Sequence, residues 1–253
     1  GRTVLQIIPE LEAGGAERTT IDIAEALGRF GARALVATEG GRLVGELQAK
    51  GGEWLPFPAG SKNPAAMLWN ARGLASLIRR EKVDIVHARS RAPAWVALAA
   101  TKLTGTPFLT TYHGSYSGKS APKIIYNSVM ARGDVVIANS EYTADLIRQQ
   151  HPFAAAKIRV IPRGTDLSSF HPAAVEPARV LALRESWKVG PHERIILHAA
   201  RLTGWKGQRV LIDAAKIMAD QGLRDIVFLL AGDAQGRDAY VKELDDLIIQ
   251  RGV

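Results

Sequence analysis

Three short stretches hold residue types at spacings that could do chemistry. In "PELEAGGAERTT", Pro9 to Thr20, Gly14 and Gly15 follow the apolar run Val4 to Ile8 and precede a run of helical period. Glycine is chosen where φ must be positive or where something approaches the backbone closely. Behind a first strand and ahead of a helix, free backbone N–H groups and the positive end of the helix dipole favour an anion. The plainer alternative is that the two glycines only turn the chain. In "LTTYHGSYSG", Leu109 to Gly118, His113 stands at the end of another apolar run, with Gly114 behind it leaving room for a ligand. A lone histidine is more often structural, but the carboxyl end of a strand is where an open parallel sheet binds its ligands, and the glycine pair is expected at the same crevice. In "HAARLTGWKGQ", His198 to Gln208, Arg201 and Lys206 flank a turn with Gly204 and Gly207. One forked cation and one point charge beside a helix N-terminus suit a diphosphate, although single loop cations are usually just solvated. "LLAGDAQG", Leu229 to Gly236, adds Gly232 in a third glycine-bearing turn on that edge.

These stretches need a scaffold, and the apolar pattern supplies one. "TVLQII", "ARALVAT", "EWLPF", "VDIVHA", "TPFLTT" and "GDVVIANS" are short, β-branched or aromatic, and bounded by turn formers, as buried parallel strands are. Helices are predicted between them. The clearest follows Pro64, with Met67, Ala71, Leu74 and Ile78 on one stripe and Arg72, Arg79 and Arg80 off it. Ser140 reads as a helix N-cap. Strand and helix in alternation mean an α/β fold, a doubly wound parallel sheet covered on both faces. A boundary is expected near Pro162, giving one domain over 1–165, an Ala- and Pro-rich linker over 166–192 and a second α/β domain over 193–253. In the latter, "RIILHAARL", a helix from Lys206 to Gln221, "DIVFLLAGD" and a helix from Asp238 to Arg251 amount to half of a nucleotide-binding domain, so the second domain is expected to be incomplete.

At 253 residues and 47% hydrophobic, the chain can bury a normal core. The absence of cysteine removes disulfides, thiolate metal sites and a cysteine nucleophile together. The apolar stretch at Ala92 to Ala100 is too short to span a bilayer, and no secretory leader stands at Gly1, so a cytoplasmic location is expected. The formal charge of +8 favours anionic partners. Basic residues are scattered, with a cluster at Arg72, Arg79, Arg80, Lys82, Arg89 and Arg91 and no interleaved aromatics, which argues against nucleic acid. With Lys119 and Lys123, that cluster could seat the protein peripherally on an anionic membrane face; a bland solvated face is the alternative.

Taken in order, "GGAER", "HG", "VIANSEYTADLI", "VIPRGTDLSSF" and "RLTGWKG" leading into "LLAGD" resemble the retaining, sugar-nucleotide-dependent glycosyltransferases of GT-B architecture, a group that includes bacterial lipopolysaccharide and mannosyl transferases. The likeness runs along essentially the whole chain. It implies two Rossmann-like domains, the first on the acceptor side and the second holding the nucleotide. By position, Gly14 and Gly15 would lie against the donor diphosphate or sugar, and His113 with Gly114 would reach the donor sugar near its reacting carbon. Arg201 and Lys206, with Gly232 in the neighbouring turn, would hold the departing diphosphate, with no metal and no cofactor besides the nucleotide-sugar substrate. The acceptor implied is a glycan or a lipid-linked molecule, in cell-envelope or lipopolysaccharide synthesis. Two departures stand out. Arg163 replaces the family's usual asparagine in the "VIPNG" loop, which leaves Gly164 to supply any left-handed turn, and the family's Glu-containing donor motif does not occur in these residues. Rival readings are a sugar-nucleotide epimerase of the same architecture, a nicotinamide-dependent dehydrogenase and a non-catalytic binding domain. For the dehydrogenase Glu39 suits the ribose acid, but the glycine spacing is wrong.

Overall fold

Strands that are apolar on both faces must be covered on both faces, and that requirement sets the architecture. The computed structural model describes residues 1–114, 116 and 120–253, Ser169 by its backbone alone. It divides into two compact units, Gly1–Gly164 and Thr165–Val253.

The first unit runs β1 (Thr3–Ile7), α1 (Gly15–Arg29), β2 (Arg33–Thr38), α2 (Val44–Ala49), β3 (Glu53–Pro56), α3 (Pro64–Arg80), β4 (Ile85–Ala88), α4 (Arg91–Thr104), β5 (Phe108–Tyr112), α5 (Ala121–Asn127), β6 (Val135–Ala138), α6 (Glu141–Gln150) and β7 (Ile158–Val160). The strands form one seven-stranded sheet in the order β3-β2-β1-β4-β5-β6-β7. Every pairing in it is parallel. β2 shows how the faces are divided: Leu35 and Ala37 join one core with α3, α4 and α6, while Ala34 and Val36 join another with α1 and α2. The α3 stripe behaves as its spacing predicts. Ala71, Leu74 and Ile78 are buried, Arg72, Arg79 and Arg80 are exposed, and Asn63 caps the helix by accepting from the Ala65 and Ala66 amides, a contact worth about 1 kcal/mol. Ser140 caps α6 through the Thr143 amide at 3.1 Å.

The second unit contains α7 (Leu167–Phe170), α8 (Pro177–Ser186), β8 (Arg194–Ala199), α9 (Gln208–Asp220), β9 (Ile226–Ala231) and α10 (Asp238–Arg251). β8 and β9 pair in parallel over six residues each. Residues 166–192, read from the sequence as a linker, carry α7 and α8 and group with this unit. α9 begins two residues later than its apolar period suggests, because Gly207 holds φ at +88° and ends the preceding turn. Lys206 is therefore a turn residue.

Candidate active site

Chain order sets where a ligand can enter the first unit. From β1 the chain winds outward to β2 and β3, then returns to place β4 on the other side of β1. That reversal opens a crevice at the carboxyl ends of β1 and β4, the place where open α/β sheets bind ligands. Four segments end there: the Gly14–Gly15 turn after β1, Arg89 after β4, His113 and Gly114 after β5, and Arg163 after β7.

What lies against the glycine backbone is a side chain of the protein itself. Gly14 is extended at φ 176°, so no left-handed conformation explains the glycine pair. A Cβ on Gly15 would collide with the guanidinium of Arg163, and one on Gly14 would meet the carboxylate of Glu17. From there Arg163 Nη2 reaches His113 Nδ1 at 2.7 Å. Gly114 holds φ at +138°, a conformation that side-chain-bearing residues avoid. Gly164 is not among the glycines with positive φ, so the left-handed turn expected of it is not made; the arginine ahead of it instead reaches back to His113.

Beneath this pair lies Arg89, 3% exposed. Its Nε and Nη2 both donate to Gln6 Oε1, at 3.0 and 2.6 Å, and Gln6 Nε2 donates to the Thr20 carbonyl at 2.9 Å. Among the described residues, neither Arg89 nor Arg163 forms an ion pair. Burial, with Arg163 adding, pulls the Arg89 guanidinium down to about 9, so at neutral pH it keeps its charge. Burial, with Arg89 and Arg163 adding, drives His113 down to about 3. His87, which is buried and bonded to Thr111 Oγ1 at 2.7 Å, is also pushed well down by burial. The crevice thus carries two fixed positive charges and a neutral imidazole whose Nε2 is buried without a partner among the described residues.

The His113 shift has a consequence for stability. The unfolded imidazole titrates near 6.5 and the folded one near 3. Below pH 6.5 only the unfolded state takes up the proton, so His113's contribution is fully present above that pH and is lost as the pH falls towards 3. Between pH 7 and 5 this loss is about 2 kcal/mol. Urea denaturation at the two pH values should show His113→Gln losing less stability on acidification than the unaltered protein; an identical loss would refute the burial effect.

The second unit has a loop of its own between the carboxyl end of β8 and α9. His198 Nε2 donates to the Lys206 carbonyl at 2.9 Å, Gln208 Nε2 donates to the Arg201 carbonyl at 2.9 Å, and the Lys206 amide donates to the Thr203 carbonyl at 2.9 Å. The backbone of the loop is held by these bonds, whereas among the described residues its cations have no carboxylate partner. Arg201 Nη1 reaches Gln235 Oε1 at 3.5 Å, and Lys206 Nζ lies 4.5 Å from the Trp205 ring centroid. Gly232 has a nearer reason to be glycine than a ligand, since any Cβ there would strike the Ala200 carbonyl. It lets the β8 and β9 loops pack together.

The reading of the basic cluster needs correction, and the crevice needs two further residues. Of the basic cluster proposed for a membrane face, Arg89 is buried, and Arg91 turns inward to donate to Asn127 Oδ1 at 2.7 Å and stack 4.6 Å from the Tyr116 ring. Arg72, Arg79, Arg80 and Lys82 remain exposed, Lys123 is exposed on α5, and Lys119 lies outside the described residues. Gln6 and Arg89 were missed as parts of the crevice. A polar residue inside the apolar run "TVLQII" was the available signal for Gln6. No described helix is long and apolar enough to cross a membrane.

With this geometry in place, comparison with known proteins decides the family. The sequence profile of Glycosyltransferase Family 4 matches residues 13–169, well over half of the chain. The chain belongs to Glycosyltransferase Family 4. A crystal structure of a glycosyltransferase from Rickettsia africae is 36% identical, superposes with a TM-score of 0.85, and covers 99% of this chain, which spans 65% of that protein. HepE of Anabaena, solved in complex with UDP and glucose, is 25% identical with a TM-score of 0.82, over 100% of this chain and 67% of its own. The same protein has been solved with UDP-glucose. Among curated proteins, the D-inositol 3-phosphate glycosyltransferase of Xylanimonas cellulosilytica is 26% identical over 183 residues, 67% of this chain and 43% of that protein. The chain thus spans less than half the length of that relative. The fold of this Family 4 chain is the α/β fold of GT-B glycosyltransferases, a seven-stranded parallel sheet followed by a second Rossmann-like unit with two strands in these residues.

Proposed function

We propose that this Family 4 protein transfers a sugar from a nucleoside-diphosphate sugar to a glycan or lipid-linked acceptor, with retention at the anomeric carbon, in cell-envelope polysaccharide or lipopolysaccharide synthesis on the cytoplasmic side of the membrane. The observation that carries it is the Arg201–Gly207 loop, whose two cations have no carboxylate partner among the described residues, on a backbone held by His198 and Gln208. These cations take the departing diphosphate, and with two of them no metal is required for that role. In a front-face reaction the bond from the anomeric carbon to the phosphate oxygen breaks, the bond to the acceptor oxygen forms, and the acceptor's proton passes to the departing phosphate oxygen. His113, with Gly114 beside it, serves the donor sugar as a hydrogen-bond partner. By the same reading the Gly14–Gly15 turn serves the donor's diphosphate or sugar, and the exposed α3 arginines are available to an anionic membrane face. HepE's complexes with UDP and UDP-glucose support a uridine nucleotide as the first donor to try.

A thermal-shift panel of UDP, GDP, ADP and CMP tests the reading. The matching diphosphate, at one hundred times its dissociation constant, should add roughly 2.7 kcal/mol of stability. No shift with any of them would count against a donor site. Acceptor-independent conversion of the nucleotide sugar to an epimer would replace transfer with isomerisation.

A further inference from the structure

The contact between Arg163 and His113 fixes more than a distance. A guanidinium has only donors, so at 2.7 Å from Arg163 Nη2 the His113 Nδ1 must accept. An imidazole that accepts at Nδ1 while neutral carries its proton on Nε2. We infer that Arg163 is a positioning residue that locks His113 as the Nε2–H tautomer, so that the ring presents a hydrogen-bond donor, and no base, to whatever occupies the crevice.

The surroundings are consistent with this assignment. His113 Nε2 is buried and has no partner among the described residues, so no acceptor among them claims its proton. The charged and titratable groups acting on the ring are Arg89 and His87 from the β4 segment and Arg163 from the segment after β7. From the end of β6, the neutral Asn139 donates its Nδ2 to the His113 carbonyl at 3.4 Å. All the charges among these oppose protonation of the ring. Gly15 completes the arrangement by leaving the space that the Arg163 guanidinium fills. Here the residue that departs from the family's usual asparagine acquires a task, since an asparagine amide could either donate or accept and would not dictate the tautomer. The chemical consequence rests on the glycosyl-transfer reading above: with Nδ1 occupied and Nε2 protonated, the ring does not take the acceptor's proton, and a donor-sugar hydroxyl or phosphate oxygen is the group it serves. The tautomer itself does not depend on that reading.

Nitrogen-15 histidine NMR on the ligand-free chain tests it, with His113→Gln identifying the signals. The expected pattern is an unprotonated Nδ1 and a protonated Nε2, with no titration between about pH 8 and 5.5. Arg163→Lys keeps the pattern, because an ammonium also donates. Arg163→Glu puts an acceptor at Nδ1 and should move the proton there or charge the ring, and Gly15→Val, which displaces the guanidinium without removing it, should mix the tautomers. Circular dichroism checks that each variant is folded; Arg163 is exposed, so its replacements leave the core intact. A proton on Nδ1 in the unaltered protein would overturn the inference, as would an unchanged pattern in both Arg163→Glu and Gly15→Val. In turnover, Arg163→Met should lower kcat about tenfold to a hundredfold with little change in the donor KM, and Arg163→Lys should recover most of it. An unaltered protein that shows the expected tautomer but transfers no sugar would count against the proposed function alone.

Discussion

Lys206→Ala should weaken binding of the nucleoside diphosphate by about tenfold to a hundredfold while leaving the monophosphate almost untouched. A hydrogen bond to a charged partner is worth roughly 1.5 to 3 kcal/mol, which converts to that range. Among the described residues, Lys206 and Arg201 have no carboxylate to satisfy them, so removing either strands no buried anion and the loss should be read in the ligand. Folding should survive as well, because the loop is shaped by backbone contacts to His198, Thr203 and Gln208 rather than by the two side chains. Turnover should fall further than binding, since the leaving diphosphate gathers charge as its bond to sugar breaks. Arg201→Lys should recover only part of the Arg201→Ala loss, because a point charge cannot make a forked contact. Calorimetry with UDP and UMP, or their purine counterparts, decides it: equal weakening of both in Lys206→Ala would assign the residue to the base pocket or the fold and refute the diphosphate clamp.

The second large effect is expected at His113. Replacing it with alanine should lower kcat by about a hundredfold or more, the scale seen when a positioned transition-state donor is lost. The side chain's tautomer sharpens this expectation. A glutamine amide can donate as Nε2–H does, so His113→Gln should retain more activity than His113→Ala, whereas a residue acting as a base would gain nothing from glutamine. Initial rates at saturating donor and acceptor separate the cases, and near-normal turnover in His113→Ala would remove the histidine from the chemistry.

Local pattern told much of this fold in advance. The α3 stripe, the Ser140 cap and the last helix, Asp238–Arg251, follow from periodicity and capping chemistry that a few neighbouring residues contain. The inner strands of the first unit were legible because a strand buried on both faces is apolar at nearly every position; the half-exposed edge strand β3 showed instead as a short aromatic run bounded by turn formers. β7, only three residues long, offers too few positions for a period to show, and it was read as part of a boundary. Local pattern also missed the start of α9, where a glycine conformation overrode an apolar register.

The sequence by itself determined the class of fold, the places where glycine-bearing turns interrupt it, and the residues Gly14, Gly15, His113, Arg201 and Lys206 as candidates, because each depends on neighbours a few positions away. Only the tertiary structure decided what meets them. Arg89 and Gln6 are 83 positions apart, and Arg163 and His113 are 50 apart. Hydropathy period and turn chemistry carry no information across such separations. In the sequence Arg89 is one more basic residue in a cluster and Arg163 a departure from a motif; the return of the chain beside β1 makes one of them a buried charge and the other the donor that fixes a histidine's proton.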